Sequence, residues 1–385
     1  MRASWPPTRS VLDRAWGHTY GASAAAGYRR GHATYMRILV TGHQGYIGSV
    51  LAPLVRDAGH EVVGLDTEFY GGCDFGPRDD EGIASLRGDV RDVTSEQLRG
   101  FDAVVHLAAL SNDPLGDLDE QLTYDINLDG TVALARACRE AGVHRFVFAS
   151  SCSIYGASGT DDLLDEDAPL RPLTPYAESK VRAEEALADL ADGSFLPVSM
   201  RNATVYGASP RLRVDIVLNN LAAWAHTTGR IRLLSDGTSW RPMVHVRDLA
   251  KVALALLEAP AESIRGESFN VGSAAQNYRV KELADELHEV TGCQIELAGD
   301  ASPDPRSYRV DFGRLERVFP TLRLDWDARA GARELVDSYR ANGMTSELFE
   351  GRRYVRLRQI KHLLDSDLVD DDLRWRAPVA SLPSQ

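Results

Sequence analysis

The stretch from Met36 to Asp66 constrains the fold more than any other part of the chain. Met36-Arg37-Ile38-Leu39-Val40-Thr41 is a short apolar run that predicts a buried strand. Gly42-His43-Gln44-Gly45-Tyr46-Ile47-Gly48 follows at once. Ser49 to Ala58 then has helical spacing, with Leu51, Leu54 and Val55 on one face. Glu61-Val62-Val63-Gly64-Leu65-Asp66 predicts a second strand that ends on a carboxylate. Glycines between a strand and a helix allow a tight turn and let a pyrophosphate approach the backbone at the helix N-terminus. Asp66 lies where an acid would hold an adenosine ribose. The unit predicts a dinucleotide site, with Gly42, Gln44, Gly45, Tyr46 and Ile47 around the phosphates.

The rest of the chain fits an α/β fold. Ala103 to Ala108, Arg145 to Ser150 and Leu196 to Arg201 are further apolar runs, and Tyr124 to Ala141 and Pro175 to Leu190 have helical spacing. Strands alternating with helices predict a Rossmann-type, doubly wound parallel sheet covered on both faces. Beyond about residue 205 the pattern loosens and predicts a smaller, discontinuous C-terminal substrate lobe. Helices are expected over Asp215 to Thr228, Val246 to Leu257 and Val280 to Thr291, and strands over Ile231 to Leu234 and Ser268 to Gly272. The expected division is 36–204 with 242–274 for the dinucleotide-binding domain, 205–241 with 275–330 for the substrate lobe, and 331–385 for a charged helical extension. Residues 1–35 carry five Arg and one acid with no periodic apolar pattern. They are expected to be a disordered tail or a start placed too early, with Met36 the alternative start.

Composition narrows the function. A net charge of −13 over 385 residues argues against nucleic acid or an anionic membrane as the main partner. No apolar run is long enough for a membrane helix. Four scattered cysteines, Cys73, Cys138, Cys152 and Cys293, suit a reducing cytoplasmic compartment better than a disulfide frame or a metal site.

Tyr176-Ala177-Glu178-Ser179-Lys180 places a phenol and an ammonium on one helix face. A neighbouring cation favours the ionised phenol, which can then act as a base near neutral pH. Ser151, at a predicted strand end, can hydrogen-bond the same substrate oxygen. Taken in order, Thr41-Gly42-x-x-Gly45-x-x-Gly48, Asp66, Gly88-Asp89-Val90, His106-Leu107-Ala108-Ala109, Asn127-Leu128-Asp129-Gly130-Thr131, Ser150-Ser151-Cys152-Ser153-Ile154-Tyr155-Gly156 and Tyr176-x-x-x-Lys180 resemble one family. It is the extended short-chain dehydrogenase/reductase family, in its NAD-dependent nucleotide-sugar epimerase/dehydratase branch. The resemblance spans about residues 36 to 315.

The resemblance implies NAD as cofactor. It places Asp89 and Val90 at the adenine, Leu107, Ala108 and Ala109 along the cofactor, and Ser151, Tyr176 and Lys180 at the chemistry, with Tyr176 and Lys180 also binding the cofactor and Lys180 holding the nicotinamide ribose. It also implies a homodimer through the helix carrying Tyr176. Gly237-x-x-x-Arg241-x-x-x-His245-Val246-x-Asp248 resembles the stretch whose arginine binds the substrate diphosphate, and a planar guanidinium fork suits phosphate. Two departures stand out. Thr204 occupies a position that is often Asn in the family, with Asn202 two residues before it. Ala301 occupies a position that is often Arg, leaving Arg306 or Arg309 as substitutes. The expected substrate contacts are therefore Asn112, Cys152, Ser153, Thr204, Arg241 and Arg306. Trp240 is a candidate stacking surface, and His245 is expected to support the sheet.

The residues after Ser151 bear on the reaction. Resembling dehydratases carry Asp-Glu there, and resembling decarboxylases carry Glu at the second position; here the residues are Cys152 and Ser153. An epimerase needs no further acid or base, so epimerisation is favoured, at C4 of the sugar. A nucleotide-sugar dehydrogenase, reductase or dehydratase is the alternative. A dinucleotide sensor without catalysis would be expected to lose Tyr176 and Lys180, and both are present. Nucleotide, sugar and pathway stay open at this stage.

Overall fold

The computed structural model describes residues 35–111, 118–157, 163–302 and 307–376. The opening unit forms as β1 (Arg37–Thr41), α1 (Gly48–Asp57) and β2 (Glu61–Asp66), followed by β3 (Ala84–Arg87) and β4 (Ala103–His106). The expected helix from Tyr124 to Ala141 is longer and less regular. A turn at Glu120–Tyr124 runs through a π-helical segment, Asp125–Asp129, into α2 (Gly130–Ala141). The cause lies in Asn127, whose side chain is buried and pairs with the backbone N–H and carbonyl of Leu110 at 2.8 and 3.1 Å. A wide turn of this kind commonly marks a functional region. Next come β5 (Arg145–Ser151), α3 (Pro175–Leu190) and β6 (Leu196–Asn202). Thr174 caps α3 by accepting from the Ala177 N–H, and Pro175 at the first helical position supplies the required φ.

The second half contributes β7 (Thr204–Tyr206), α4 (Val217–Thr228), β8 (Arg230–Ser235) and β9 (Trp240–His245). Then follow α5 (Val246–Glu258), β10 (Ser268–Val271), β11 (Asn277–Arg279), α6 (Val280–Thr291) and β12 (Gln294–Ser302). The C-terminal part holds α7 (Ala328–Ala341) and α8 (Arg356–Asp365). Among the described residues no helix is long and apolar enough to cross a membrane.

Seven strands form the main sheet in the order β10-β6-β5-β4-β1-β2-β3, all parallel. Alternation along β1 sets the two layers. Ile38 and Val40 pack with Leu51 and Val55 of α1 and Leu249, Val252 and Leu256 of α5. Leu39 faces the other way, with Val104, Phe146, Phe148 and the α2 and α3 residues Leu134, Cys138, Ala183 and Leu187. A sheet apolar on both faces explains why its strands are unbroken runs of Val, Ile, Leu and Phe.

The second lobe has its own core, in which Leu218, Leu221, Ile231, Leu283 and Leu287 meet Ala332, Leu335 and Tyr339 of α7. The expected division at residue 330 falls inside α7, because that helix completes this core. Residues after α7 take another path. Ile360 and Leu363 of α8, with Val369 and Leu373 beyond it, pack on Phe69, Leu110, Leu122 and Ile126. The C-terminal segment thus lies against residues that follow β2 and β4, at the carboxyl end of the sheet.

Candidate active site

Two cavities meet at the carboxyl edge of the sheet. The narrower is a groove over the glycine turn. Gly42 has φ +72°, donates its N–H to the Leu65 carbonyl at 2.8 Å, and accepts from Gly45 N–H at 2.9 Å. A Cβ on Gly42 would stand 2.9 Å from Ala108 N, and one on Gly48 would stand 2.2 Å from the Gly42 carbonyl oxygen. Only glycine fits there, since φ is positive at the first position and backbone crowds both. No side chain caps the N-terminus of α1, which opens into the groove. Gly42, Gly45, Tyr46, Ile47, Asp66, Asp89, Val90, Leu107, Ala108 and Ala109 line it together, whereas the side chain of Gln44, expected with them, bonds Ser85, Arg78 and Arg211 instead.

The acid at the end of β2 is held in place by backbone. Asp66 accepts from the N–H groups of Gln44 at 3.0 Å and Glu68 at 2.8 Å. Asp89 is engaged by arginines: Arg91 through its backbone N–H at 2.9 Å and its guanidinium at 2.7 Å, and Arg374 at 3.2 Å. Burial works to raise the Asp89 pKa, but the Arg91 hydrogen bonds outweigh it and hold the carboxyl below its usual value. His106 ties the strand ends together, bonding Thr41 Oγ1 at 2.7 Å and Thr131 Oγ1 at 2.8 Å. Burial pushes its pKa down to about 3, with Lys180 adding to the effect, so the ring is neutral.

The wider cavity, about 940 Å³, opens beside Tyr46 and Ile47. Ser151, Tyr176 and Lys180 all line it. Lys180 is buried and donates to the Ala149 carbonyl at 2.8 Å, with its Nζ 5.9 Å from the Tyr176 ring centroid. Burial lowers the Lys180 pKa to about 7, and Glu184 opposes the shift. Ser151 Oγ accepts from Ser153 N–H at 3.1 Å. Asn127 braces this region too, since its side-chain amide also reaches Ser179 Oγ on α3 at 3.4 Å.

The expected substrate contacts divide. Ser153, Thr204 and Arg241 line the wide cavity, and so does Asn202. Ser153 Oγ and Asn202 Oδ1 are buried without a hydrogen-bond partner, as is Ser150 Oγ. Cys152 is a correction. Its thiol turns away from the cavity, lies 1% exposed, and donates to the Arg201 carbonyl at 3.1 Å. The 3₁₀ turn Cys152–Tyr155 sends neighbouring side chains in different directions, so Cys152 packs while Ser151 and Ser153 face the cavity. Asn112 and Arg306 lie outside the described residues. Trp240 is flanked on its ring by Arg279 and Arg309, at 4.7 and 4.8 Å from the centroid. His245 bonds Glu334 at 2.8 Å and stacks on Trp326 at 3.9 Å, bracing the second lobe.

Sequence reasoning missed three charged residues between the two cavities. Arg213 lines both, is clasped by Asp215 at 2.9 and 3.2 Å, and donates to Ser111 Oγ at 3.1 Å. Arg356, the first residue of α8, lines the groove. No family motif marks these residues; Arg213 and Asp215 pair locally, two residues apart, and Arg356 joins them only through tertiary packing.

Residues 38–272 match the model of the NAD dependent epimerase/dehydratase family. The UDP-glucose 4-epimerase of Bacillus subtilis is 30% identical over 344 residues, covering 79% of this chain and 96% of that protein. Among solved structures, MoeE5 in complex with UDP-glucuronic acid and NAD is similar at a TM-score of 0.68 and 29% identity, over 79% of this chain and 99% of that one. DesIV, a dTDP-glucose 4,6-dehydratase from Streptomyces venezuelae solved with NAD, is similar at a TM-score of 0.68 and 26% identity, over 81% and 100%. The chain belongs to the NAD dependent epimerase/dehydratase family, and its fold is that of the extended short-chain dehydrogenases/reductases. NAD is its cofactor. The residues present fit that group: a glycine turn with no room for a Cβ, an open helix N-terminus and a fixed carboxylate at Asp66.

Proposed function

We propose that this protein is an NAD-dependent nucleotide-sugar 4-epimerase. One observation carries the reading. Among the described residues lining the 940 Å³ cavity, Asp215 is the one carboxylate, and it is clasped by Arg213. Elimination of water or of carbon dioxide would call for a further acid or base beside Ser151. The positions after Ser151 instead hold a packed thiol and the Ser153 hydroxyl.

In this reading the Tyr176 phenolate removes the proton from the C4 hydroxyl and later returns it. Ser151 Oγ orients that oxygen, and Lys180, which is an ammonium in part of the molecules near pH 7, favours the ionised phenol in that form. NAD, when bound, supplies the hydride acceptor and donor. Arg241 binds the substrate diphosphate. Ser153 Oγ, Asn202 Oδ1 and Thr204 contact sugar hydroxyls, and the first two are buried polar atoms that lack partners. Inversion requires the sugar to present its other face, and a cavity of about 940 Å³ gives it room to turn. A cytoplasmic homodimer paired through α3 belongs to the same proposal.

The test is mass-resolved product analysis with UDP-, TDP-, GDP- and CDP-sugars and no added cofactor. An isomer of unchanged mass is expected. Loss of water or carbon dioxide, or turnover only with added NAD, would replace epimerisation by one of the alternative reactions.

A further inference from the structure

Arg356 is 2% exposed, yet its Nη1 has no hydrogen-bond partner. Its other contacts are firm. Nη2 donates to the Arg211 carbonyl at 2.9 Å, the backbone N–H reaches Asp215 at 3.3 Å, and the guanidinium lies 4.1 Å from the Tyr70 ring centroid. A buried cationic N–H left unpaired is costly, so the position implies a partner that comes and goes. Charge points the same way. Arg213 and Arg356 share one close carboxylate, Asp215, which Arg213 already clasps. Burial lowers the Arg356 pKa to about 10, which still leaves it cationic at neutral pH. The cluster therefore has an excess positive charge, and it borders the groove that contains Gly45 to Gly48.

We propose that Arg356, joined to Arg213 through Asp215, is an anion clamp for the pyrophosphate of the bound dinucleotide. The proposal rests on the assignment of the groove to NAD. It gives the C-terminal segment, which lies beyond the residues matched by the family model, a direct part in the cofactor site. A diphosphate could also come from the substrate nucleotide, but placement favours the cofactor. Arg356 lines the glycine groove, whereas its neighbours Val355 and Leu357 line the wide cavity. The glycine turn supplies backbone N–H groups and a helix N-terminus, and α8 supplies the guanidinium that those lack.

The experiment is calorimetric titration of full-length protein stripped of nucleotide. The probes are NAD, ADP-ribose, adenosine and UDP. Arg356→Met removes the charge at similar volume. Hydrogen bonds to charged groups contribute about 1.5–3 kcal/mol, so ADP-ribose and NAD should bind roughly 10- to 150-fold more weakly. Adenosine and UDP should bind as before. ADP-ribose affinity within about threefold of wild type would overturn the clamp. So would an equal loss for adenosine, which signals general damage, or a loss for UDP alone, which moves the anion to the substrate. If Arg356→Met does not fold, Arg356→Lys carries the test. It keeps the charge without the fork, and should weaken ADP-ribose by less than the Met variant's expected loss; no change in ADP-ribose binding overturns the proposal. Wild-type protein that binds neither NAD nor ADP-ribose would remove the cofactor site and the clamp together. Wild-type binding that survives both substitutions would remove the clamp alone.

Discussion

The two sides of the cofactor groove are built by opposite means. The glycine side is contiguous in sequence: a strand, a turn without Cβ atoms and a helix start lie within Arg37 to Asp57. The opposite side is assembled from distant pieces. Phe69 and Tyr70 follow β2, Arg213 belongs to the second lobe, and Arg356 comes from the C-terminal segment. The first side has geometry that tolerates almost no substitution. The second has a hydrophobic patch and a buried charge cluster that could drift without leaving a motif. The comparison teaches that backbone geometry on one side of the groove is written in a single local stretch, while the charged and apolar side chains on the other are gathered from separate parts of the chain.

The largest effect should separate chemistry from grip. Tyr176→Phe removes the proposed proton-transfer group and leaves the glycine turn intact. General acid–base groups contribute roughly 10²- to 10⁴-fold, so turnover should fall by that order. The variant should still carry NAD, measured by absorbance of the nucleotide released on denaturation. Near-normal turnover would defeat the proposed role of Tyr176, and loss of NAD would show that chemistry and grip are not separable here.

This division also explains what was legible in the chain. The β1-α1-β2 unit and the Tyr176/Lys180 pair are local patterns, set by spacings of a few residues, so they are plain in the sequence. Ser151 was legible because it ends an apolar strand. Whether Cys152 packs or reaches substrate was not legible, since a 3₁₀ turn decides which of three adjacent side chains faces the cavity and composition does not report it. Asn127 stood inside a family motif, but its pairing with Leu110 depends on a π-helical turn that periodicity hides. Arg356 carried no signal at all, because its partners lie far away along the chain.

A matched pair of core truncations sharpens the comparison. Ile360 and Leu249 are both fully buried, the first between α8 and Phe69, the second behind the sheet on α5. Truncating either to Ala should cost about 2–5 kcal/mol, read from denaturant melts. Only Ile360→Ala should also weaken NAD binding, because it loosens the segment that carries Arg356. Equal loss of NAD binding in both variants would mean that the C-terminal segment has no special part in the grip.

The chemistry side has its own signature in pH. The Lys180 pKa is about 7 in the folded protein against an ordinary lysine value of 10.5, and burial is the main cause. Between those values the unfolded chain binds a proton that the folded protein does not. Stability from this residue therefore rises with pH across that window and is lost as pH falls toward 7. In nucleotide-free protein, wild type should gain on Lys180→Met by up to about 1.4 kcal/mol per pH unit between pH 7 and 10. Parallel curves in thermal melts would show that the amine is charged and solvated in the fold.

The smallest effect concerns the far end of the C-terminal segment. Arg374 reaches Asp89 at 3.2 Å and Asp92 at 2.6 Å, but its side chain is 34% exposed. Pairs of that kind contribute about 0–1 kcal/mol. Asp89 would keep its Arg91 hydrogen bonds without it, and Trp375 would still donate from its indole to the Thr67 carbonyl at 2.7 Å. Arg374→Ala should therefore weaken NAD by no more than roughly fivefold, which is the ratio that 1 kcal/mol allows. A loss as large as that expected for Arg356→Met would place the grip in the surface ion pairs at Asp89. A small loss keeps it in the buried cluster at Arg356, where the missing hydrogen-bond partner lies.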